Sequence, residues 1–407
     1  MKCFAPMKQS KPSLRLITLI LGTLCTISPF SIDMYLPAFP QIAQRFGVDV
    51  PQVSLTIASY FIGLAAGQLL YGPFLDRFGR KPPLLVGLAL YIVASVLCIF
   101  APTFNFLVGV RVLQALGACG ASVACMAMVR DFFPPLEGAK VFSRLMLILS
   151  VSPMFAPTIG SFLIVLWGWQ SVFVALVLIV LLICSLVIFV LPEGHGGDAD
   201  HSLRPVSIVK TYWRITRHRQ FLSYALAGGF SFSGLFAYVA GSPAIFLSKF
   251  HLSERMFGLV FAFLSVGVIG GGQINVHLIK KHDGEKIFRL ALFSQLVVAA
   301  LFLSLVRFTE CGLIAHILLL FTYLSCVGLT YPNAAAIALT PFDKHAGSAS
   351  AMLGMLQMTV GALVSAAFGV MQLPVSISVS ALFFFTSIIG ALILMWGTRV
   401  RVMQPSA

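Results

Sequence analysis

The chain has 407 residues, of which 59% are hydrophobic and only 10% charged, and its mean hydropathy is +0.98. Soluble domains carry about a quarter charged residues, so this composition excludes a water-soluble enzyme or binding module. The formal net charge of +14 has no basic, aromatic-interleaved soluble region to concentrate it, and no nucleic acid is expected as a partner.

Taken in chain order, the charges leave apolar runs near the twenty residues needed to cross about 30 Å of hydrocarbon. They predict an all-α integral membrane protein with 12 transmembrane helices, roughly 15–39, 52–73, 83–101, 105–129, 141–165, 171–191, 221–247, 255–279, 288–307, 312–334, 346–371 and 376–397. The basic start lacks a convincing small-residue cleavage site, so span 1 is expected to be retained. If the N-terminus is cytoplasmic, only Arg45, Lys249, Arg255 and Arg307 fall on the outer side, and the remaining loop cations fall inside. That asymmetry predicts both termini in the cytoplasm. The cysteines show neither metal-ligand nor disulfide spacing, and no metal or other cofactor is expected.

Residues 194–219 form the one long polar stretch between spans. Gly194 to His201 is Gly- and Asp-rich and reads as flexible linker. From Val206 to Arg219, basic residues alternate with Ile208, Val209, Tyr212, Trp213 and Ile215, which predicts an amphipathic helix on an anionic membrane surface. The linker divides the chain into an N-terminal six-helix half, 1–193, and a C-terminal six-helix half, 220–407. The halves echo each other: GQLLYGPFLDRFGRK from Gly67 and GQINVHLIKKHDGEK from Gly272 repeat Gly-Gln, Gly and Lys at one spacing, 205 residues apart. Two pseudo-symmetric halves with a site between them suit alternating access.

Asp33 and Arg111 are the charges expected inside spans. From Arg15 to Asp33 is about 27 Å of helix, and from Arg130 back to Arg111 about 28 Å. An acid and an arginine at one depth invite pairing, directly or through water. Two readings stay open: a structural bridge, or an acid that gains and loses a proton as its surroundings alternate.

The motifs carry a resemblance. GPFLDRFGRKPPLL, Gly72 to Leu85, resembles the signature between spans 2 and 3 of the major facilitator superfamily. RVLQALGACGA, Arg111 to Ala121, resembles the span-4 proton-coupling motif of its drug:proton antiporters, and SPMFAPTIGS, Ser152 to Ser161, their span-5 antiporter motif. SIDMYLP, VRDFFP (Val129 to Pro134) and YALAGGFSFSGLF (Tyr224 to Phe236) resemble the Bcr/CflA drug-resistance branch.

This resemblance implies a major facilitator fold in the bacterial inner membrane, exporting small amphiphilic drug-like compounds as a proton-driven antiporter and working as a monomer. A specific metabolite (nucleoside, sugar or amino acid) is the alternative cargo. Asp33, Arg111 and Gln114 are then the proton-coupling residues. Gly72, Asp76, Arg77, Gly79, Arg80, Lys81 and Asp131 form an inner gate latch, with Asp76 meeting span 11 near Ala346 and a neighbouring cation meeting Asp131. Pro153, Pro157 and Gly160 bend span 5 and let it pack closely on the other half. Ser152 and Ala156, and likewise Ala115, stand where glycines are usual in the family. Cys25 and Ser28 occupy the neighbourhood where some relatives carry a second acid, which makes exchange of one proton the simpler expectation. Met34, Tyr60, Met126, Phe232, Phe236, Tyr238, Tyr331, Asn333 and Gln357 are candidates for the substrate cavity. His316 follows Arg111, and Tyr238 follows Asp33, by the same 205 residues, and His316 is weighed as interior packing or a proton carrier.

Overall fold

A computed structural model describes residues 14–194, 196–197, 205–342 and 346–399, so most of the expected flexible stretch lies outside the described residues. Among the described residues, 12 helices are long and apolar enough to cross a membrane. Spans 1 to 6 are Leu14–Phe46, Val50–Phe78, Lys81–Ile99, Phe104–Phe132, Lys140–Trp167 and Gln170–Phe189. Spans 7 to 12 are Arg219–Lys249, Glu254–Leu278, Gly284–Phe308, Leu313–Leu339, Ala346–Val370 and Val375–Gly397. A further helix, Pro205–Thr216, lies in the linker.

The packing repeats between the halves. Span 2 lies on span 4 and span 3 on spans 4 and 6, just as span 8 lies on span 10 and span 9 on spans 10 and 12. Glycines set the close crossings: a Cβ at Gly63 or Gly67 would enter the Val112 backbone or the Cys119 side chain of span 4. In the second half the corresponding residues are Gly267 and Gly271, which lie against Phe321 and Ser325 of span 10. The structural mate of Gly67 is thus Gly271, one residue away from the sequence-matched Gly272.

The halves meet along two antiparallel seams. Spans 2 and 11 touch from Ser54, which donates to the Ser365 carbonyl at 3.1 Å, to Gln68 beside Gly354. Spans 5 and 8 touch where Ser161 donates to the Glu254 carbonyl at 2.8 Å and where Gly258 lies on Thr158. Span 1 meets span 7 through its turn Leu36–Ala38 and the helix Phe39–Phe46 that follows it; among the described residues, the helix Leu14–Asp33 and span 4 make little contact with spans 7 and 10. The contacts named between spans 5 and 8 lie at the end holding Ser54 and Ser161, whereas those between spans 2 and 11 continue to Gln68, toward the latch-bearing end.

Span 1 differs from the sequence reading. Its continuous helix, Leu14–Asp33, ends at Asp33, and the chain turns through a 3-10 segment, Leu36–Ala38, into a short helix, Phe39–Phe46. Pro37 and Pro40 account for the break, since neither can donate to a continuing helix. Asp33 therefore lies inside the span as expected, but as a helix-terminal residue at a turn.

Candidate functional site

Arg111 is 0% exposed, and its two terminal nitrogens, though not its Nε, are bonded within the N-terminal half. Its Nη2 donates to the Ser31 carbonyl at 3.1 Å and its Nη1 to Gln114 Oε1 at 2.5 Å. The guanidinium carbon lies 4.7 Å from the Tyr35 ring centroid and 4.4 Å from that of Tyr60, both within cation–π range. Gln114 can serve here because an amide both accepts and donates: its Nε2 donates to Ser95 Oγ at 2.8 Å. Ser95 donates to the Tyr91 carbonyl, and Ser31 and Tyr91 share a 2.5 Å hydroxyl–hydroxyl bond, which ties spans 1, 3 and 4 into one network.

Of the two forms of pairing expected for Asp33 and Arg111, the direct one is not formed. Among the described residues Asp33 makes no ion pair, although it is only 6% exposed. The depth argument was sound, because Arg111 binds the backbone two residues before Asp33. Helix geometry separates the side chains: two residues is about 200° of rotation, so the Ser31 carbonyl and the Asp33 side chain face different ways. Asp33 lies within electrostatic reach of Tyr238 of span 7, whose enclosed hydroxyl has no hydrogen-bond partner. The acid thus stands at the turn that packs on the other half, and the cation stays caged in its own.

The latch residues also sort themselves differently. Arg80 is the hub, with Nε donating to Asp131 at 2.8 Å and Nη1 to Asp76 at 2.9 Å and to the Leu75 carbonyl at 3.0 Å. Burial opposes its charge, but the two carboxylates outweigh this and hold the guanidinium above its usual pKa. Asp76 meets Arg80 where span 11 was expected, although the antiparallel register does bring it level with Ala346, eight residues on from the Gln68–Gly354 contact in each helix. Lys81 does not join Asp131; its Nζ donates to the Ile188 and Leu191 carbonyls at 3.0 Å, where the end of the span 6 helix favours a cation. The Arg77 guanidinium lies over the Phe78 ring. Gly79, at φ 83° and ψ −180°, occupies backbone space open essentially to glycine, whereas a Cβ at Gly72 would meet nothing, so Gly72 does not serve close approach.

Span 5 runs as one helix, Pro135–Trp167, with Pro153 and Pro157 inside it. Gly160 faces Met34 of its own half, so it does not serve the contact with the other half. Thr158 and Ser161, three residues apart and so on one face, make that contact.

The cavity candidates divide into three groups. Phe61 and Phe236 meet across the halves at 4.2 Å between centroids, and Phe236, Phe232 and Tyr331 continue as an aromatic ladder, with Tyr331 at 38% exposure. Gln357 lies next to Gly229 in this region, and Met126 is half-buried against the core. Tyr60 belongs to the arginine cage, Met34 is fully buried under Gly160, and Tyr238 stacks on Phe261 at 5.2 Å. Asn333 is turned inward: its Nδ2 donates to Asn275 Oδ1 at 2.6 Å and to the Leu329 carbonyl, satisfying the backbone near Pro332. His316 forms a closed group with Ser376 and Lys249, accepting from Ser376 through Nε2 at 2.9 Å while Nδ1 faces the Gly312 carbonyl. Ser31, Tyr35, Phe61, Tyr91 and Ser95 were missed. Tyr35 stood in the quoted SIDMYLP stretch, but nothing in one sequence distinguishes Ser95 from other span serines.

Residues 21–366 match the Major Facilitator Superfamily. The chain belongs to that superfamily. It is 31% identical over 361 residues to the bicyclomycin resistance protein homolog of Haemophilus influenzae, covering 88% of this chain and 90% of the relative. It is 30% identical to the multidrug resistance protein MdtL of Escherichia coli O9:H4, covering 84% and 85%, and 28% identical to a chloramphenicol resistance protein of Pseudomonas aeruginosa, covering 86% and 84%. The Bcr/CflA-like resemblance therefore holds along the chain. Among solved folds, an inward-facing bacterial homolog of the human lysosomal transporter Spinster aligns with TM-score 0.77 at 15% identity, covering 96% of this chain and 98% of that one. A D-xylose-proton symporter aligns with TM-score 0.74 at 15% identity, covering 94% and 97%. Twelve membrane-length helices and bacterial transporter relatives make this major facilitator protein a multi-pass inner-membrane transporter of small molecules.

Proposed function

We propose that this transporter exports small amphiphilic, drug-like compounds in exchange for protons, with Asp33 as the proton carrier. The observation that supports this most is the separation of the two intramembrane charges. Arg111 is locked in a cage of one half, and Asp33 stands unpaired at the turn where that half meets the other. An ionised acid there is costly unless neutralised or wetted, so its protonation follows whatever the seam exposes it to. Opening the seam at one end and then at the other would wet Asp33 from opposite sides in turn. The latch-bearing end, rich in cations, is the cytoplasmic one, and both termini lie there. The aromatic ladder from Phe61 to Tyr331 offers an adaptable apolar wall, and Gln357 supplies an amide for orientation. The protein acts without cofactor or catalytic residue, as a monomer driven by the proton gradient. The resistance named in its relatives favours xenobiotic cargo over a single metabolite.

Transport in inside-out vesicles tests this, comparing wild type with Asp33→Asn and using radiolabelled chloramphenicol as cargo. The amide variant is expected to bind cargo but to lose uphill, pH-driven accumulation and cargo-driven proton release. Uphill accumulation surviving in Asp33→Asn would remove Asp33 from the coupling.

A further inference from the structure

The linker helix, Pro205–Thr216, has its rotation set by the bundle. Tyr212 donates to the Leu69 carbonyl of span 2 at 3.3 Å, and Ile215 is buried in a cluster with Ala349, Met352 and Leu353 of span 11. The helix thus touches span 2 of one half and spans 7 and 11 of the other, across the seam between them. Burial and then the charge of Asp76 push the Tyr212 phenol up. The sequence pattern assigned all five apolar residues of this stretch to the membrane surface, yet the structure gives Tyr212 and Ile215 to protein.

What remains outward is Val209 at 63% exposure and Trp213 at 59%, with Lys210, Arg214 and Arg217 all exposed around them. The Arg217 guanidinium lies 5.0 Å from the Trp213 ring centroid. The same pairing recurs where Arg219 lies 4.6 Å from the ring of Trp396, itself 60% exposed in the last turns of span 12. No acidic residue occurs between 205 and 219. A face serving only solvation has no use for an exposed indole and valine. A row of cations without acids, set around an indole, matches the boundary between acyl chains and anionic headgroups.

We propose that the Val209–Arg217 face docks on anionic phospholipid headgroups, making the linker helix a lipid-held strap across the span 2–span 11 seam. The proposal is independent of proton coupling, and its test does not measure transport. Full-length protein is reconstituted in vesicles containing brominated phosphatidylglycerol or, at equal fraction, brominated phosphatidylcholine. The Trp213 contribution to fluorescence is the difference between wild type and Trp213→Phe. Quenching of that contribution by the anionic lipid is expected to be about twice that by the neutral one. The combined variant Lys210→Gln, Arg214→Gln, Arg217→Gln is expected to bring the ratio to about one with unchanged melting, because these side chains are exposed. Millimolar inorganic phosphate should leave the wild-type ratio unaltered; if phosphate collapses it, the face takes a free anion and lipid docking is overturned. Equal quenching by both lipids, or quenching by neither because water or a second protein covers the face, also overturns it.

Discussion

Arg111→Met is expected to yield a folded protein that has lost exchange, whereas Arg111→Lys is expected to lose stability as well. Arg111 is wholly buried and has no acidic partner among the described residues, so its charge is an expense the fold carries. Met fills a similar volume and removes that expense, while leaving the Ser31 carbonyl and Gln114 Oε1 without their donor. Each orphaned acceptor costs about 1–3 kcal/mol, and removal of an unpaired buried charge offsets part of that, so the protein should stay folded. Lysine keeps the charge but offers a compact ammonium that cannot fork between two acceptors while stacking on Tyr35 and Tyr60. A loss of about 2–4 kcal/mol is expected there. Thermal melting in detergent and cargo-driven proton flux in vesicles read the two quantities separately. A well-folded Arg111→Met that exchanges at the wild-type rate would reduce the arginine to a structural role.

The second large effect concerns two glycines that look alike in the sequence. At Gly160 a Cβ would press into the Met34 carbonyl, and backbone at a turn cannot move aside as a flexible side chain can. Gly160→Ala is expected to destabilise by about 1–3 kcal/mol, and Gly160→Val by more, through overpacking. The displaced segment is the turn that follows Asp33, so transport should fall with stability. At Gly72, also inside a helix, a Cβ meets nothing within 4 Å. Gly72→Ala is expected to be neutral or to stabilise by up to about 1 kcal/mol through helix propensity. Melting of the purified variants decides, and a larger loss at Gly72 than at Gly160 would refute this account of the packing.

The latch shows how far one sequence reaches. Opposite charges near Asp76, Arg80 and Asp131 were foreseeable, since they cluster at one loop end. That Arg80 takes both carboxylates while Lys81 caps span 6 depends on which way each side chain leaves its helix, and adjacent residues diverge by about 100°. The same limit misplaced Asn333, which polar-residue reasoning turned toward the cavity and the fold turned toward Asn275.

The sequence by itself determined the solvent: scarce, evenly spaced charges and long apolar runs leave twelve membrane helices as the only way to satisfy the backbone in lipid. It also determined which acid and which arginine stand within the membrane and at what depth, because helical rise is constant. Only the tertiary structure decided that the two do not pair directly, and that the arginine is instead caged within its own half while the acid ends its helix at the turn between halves. Depth follows from counting along one helix, but azimuth and partner depend on how several helices are rotated against one another. That rotation is set by packing between residues far apart in the chain, such as Gly160 against Met34 and Arg111 against Ser31.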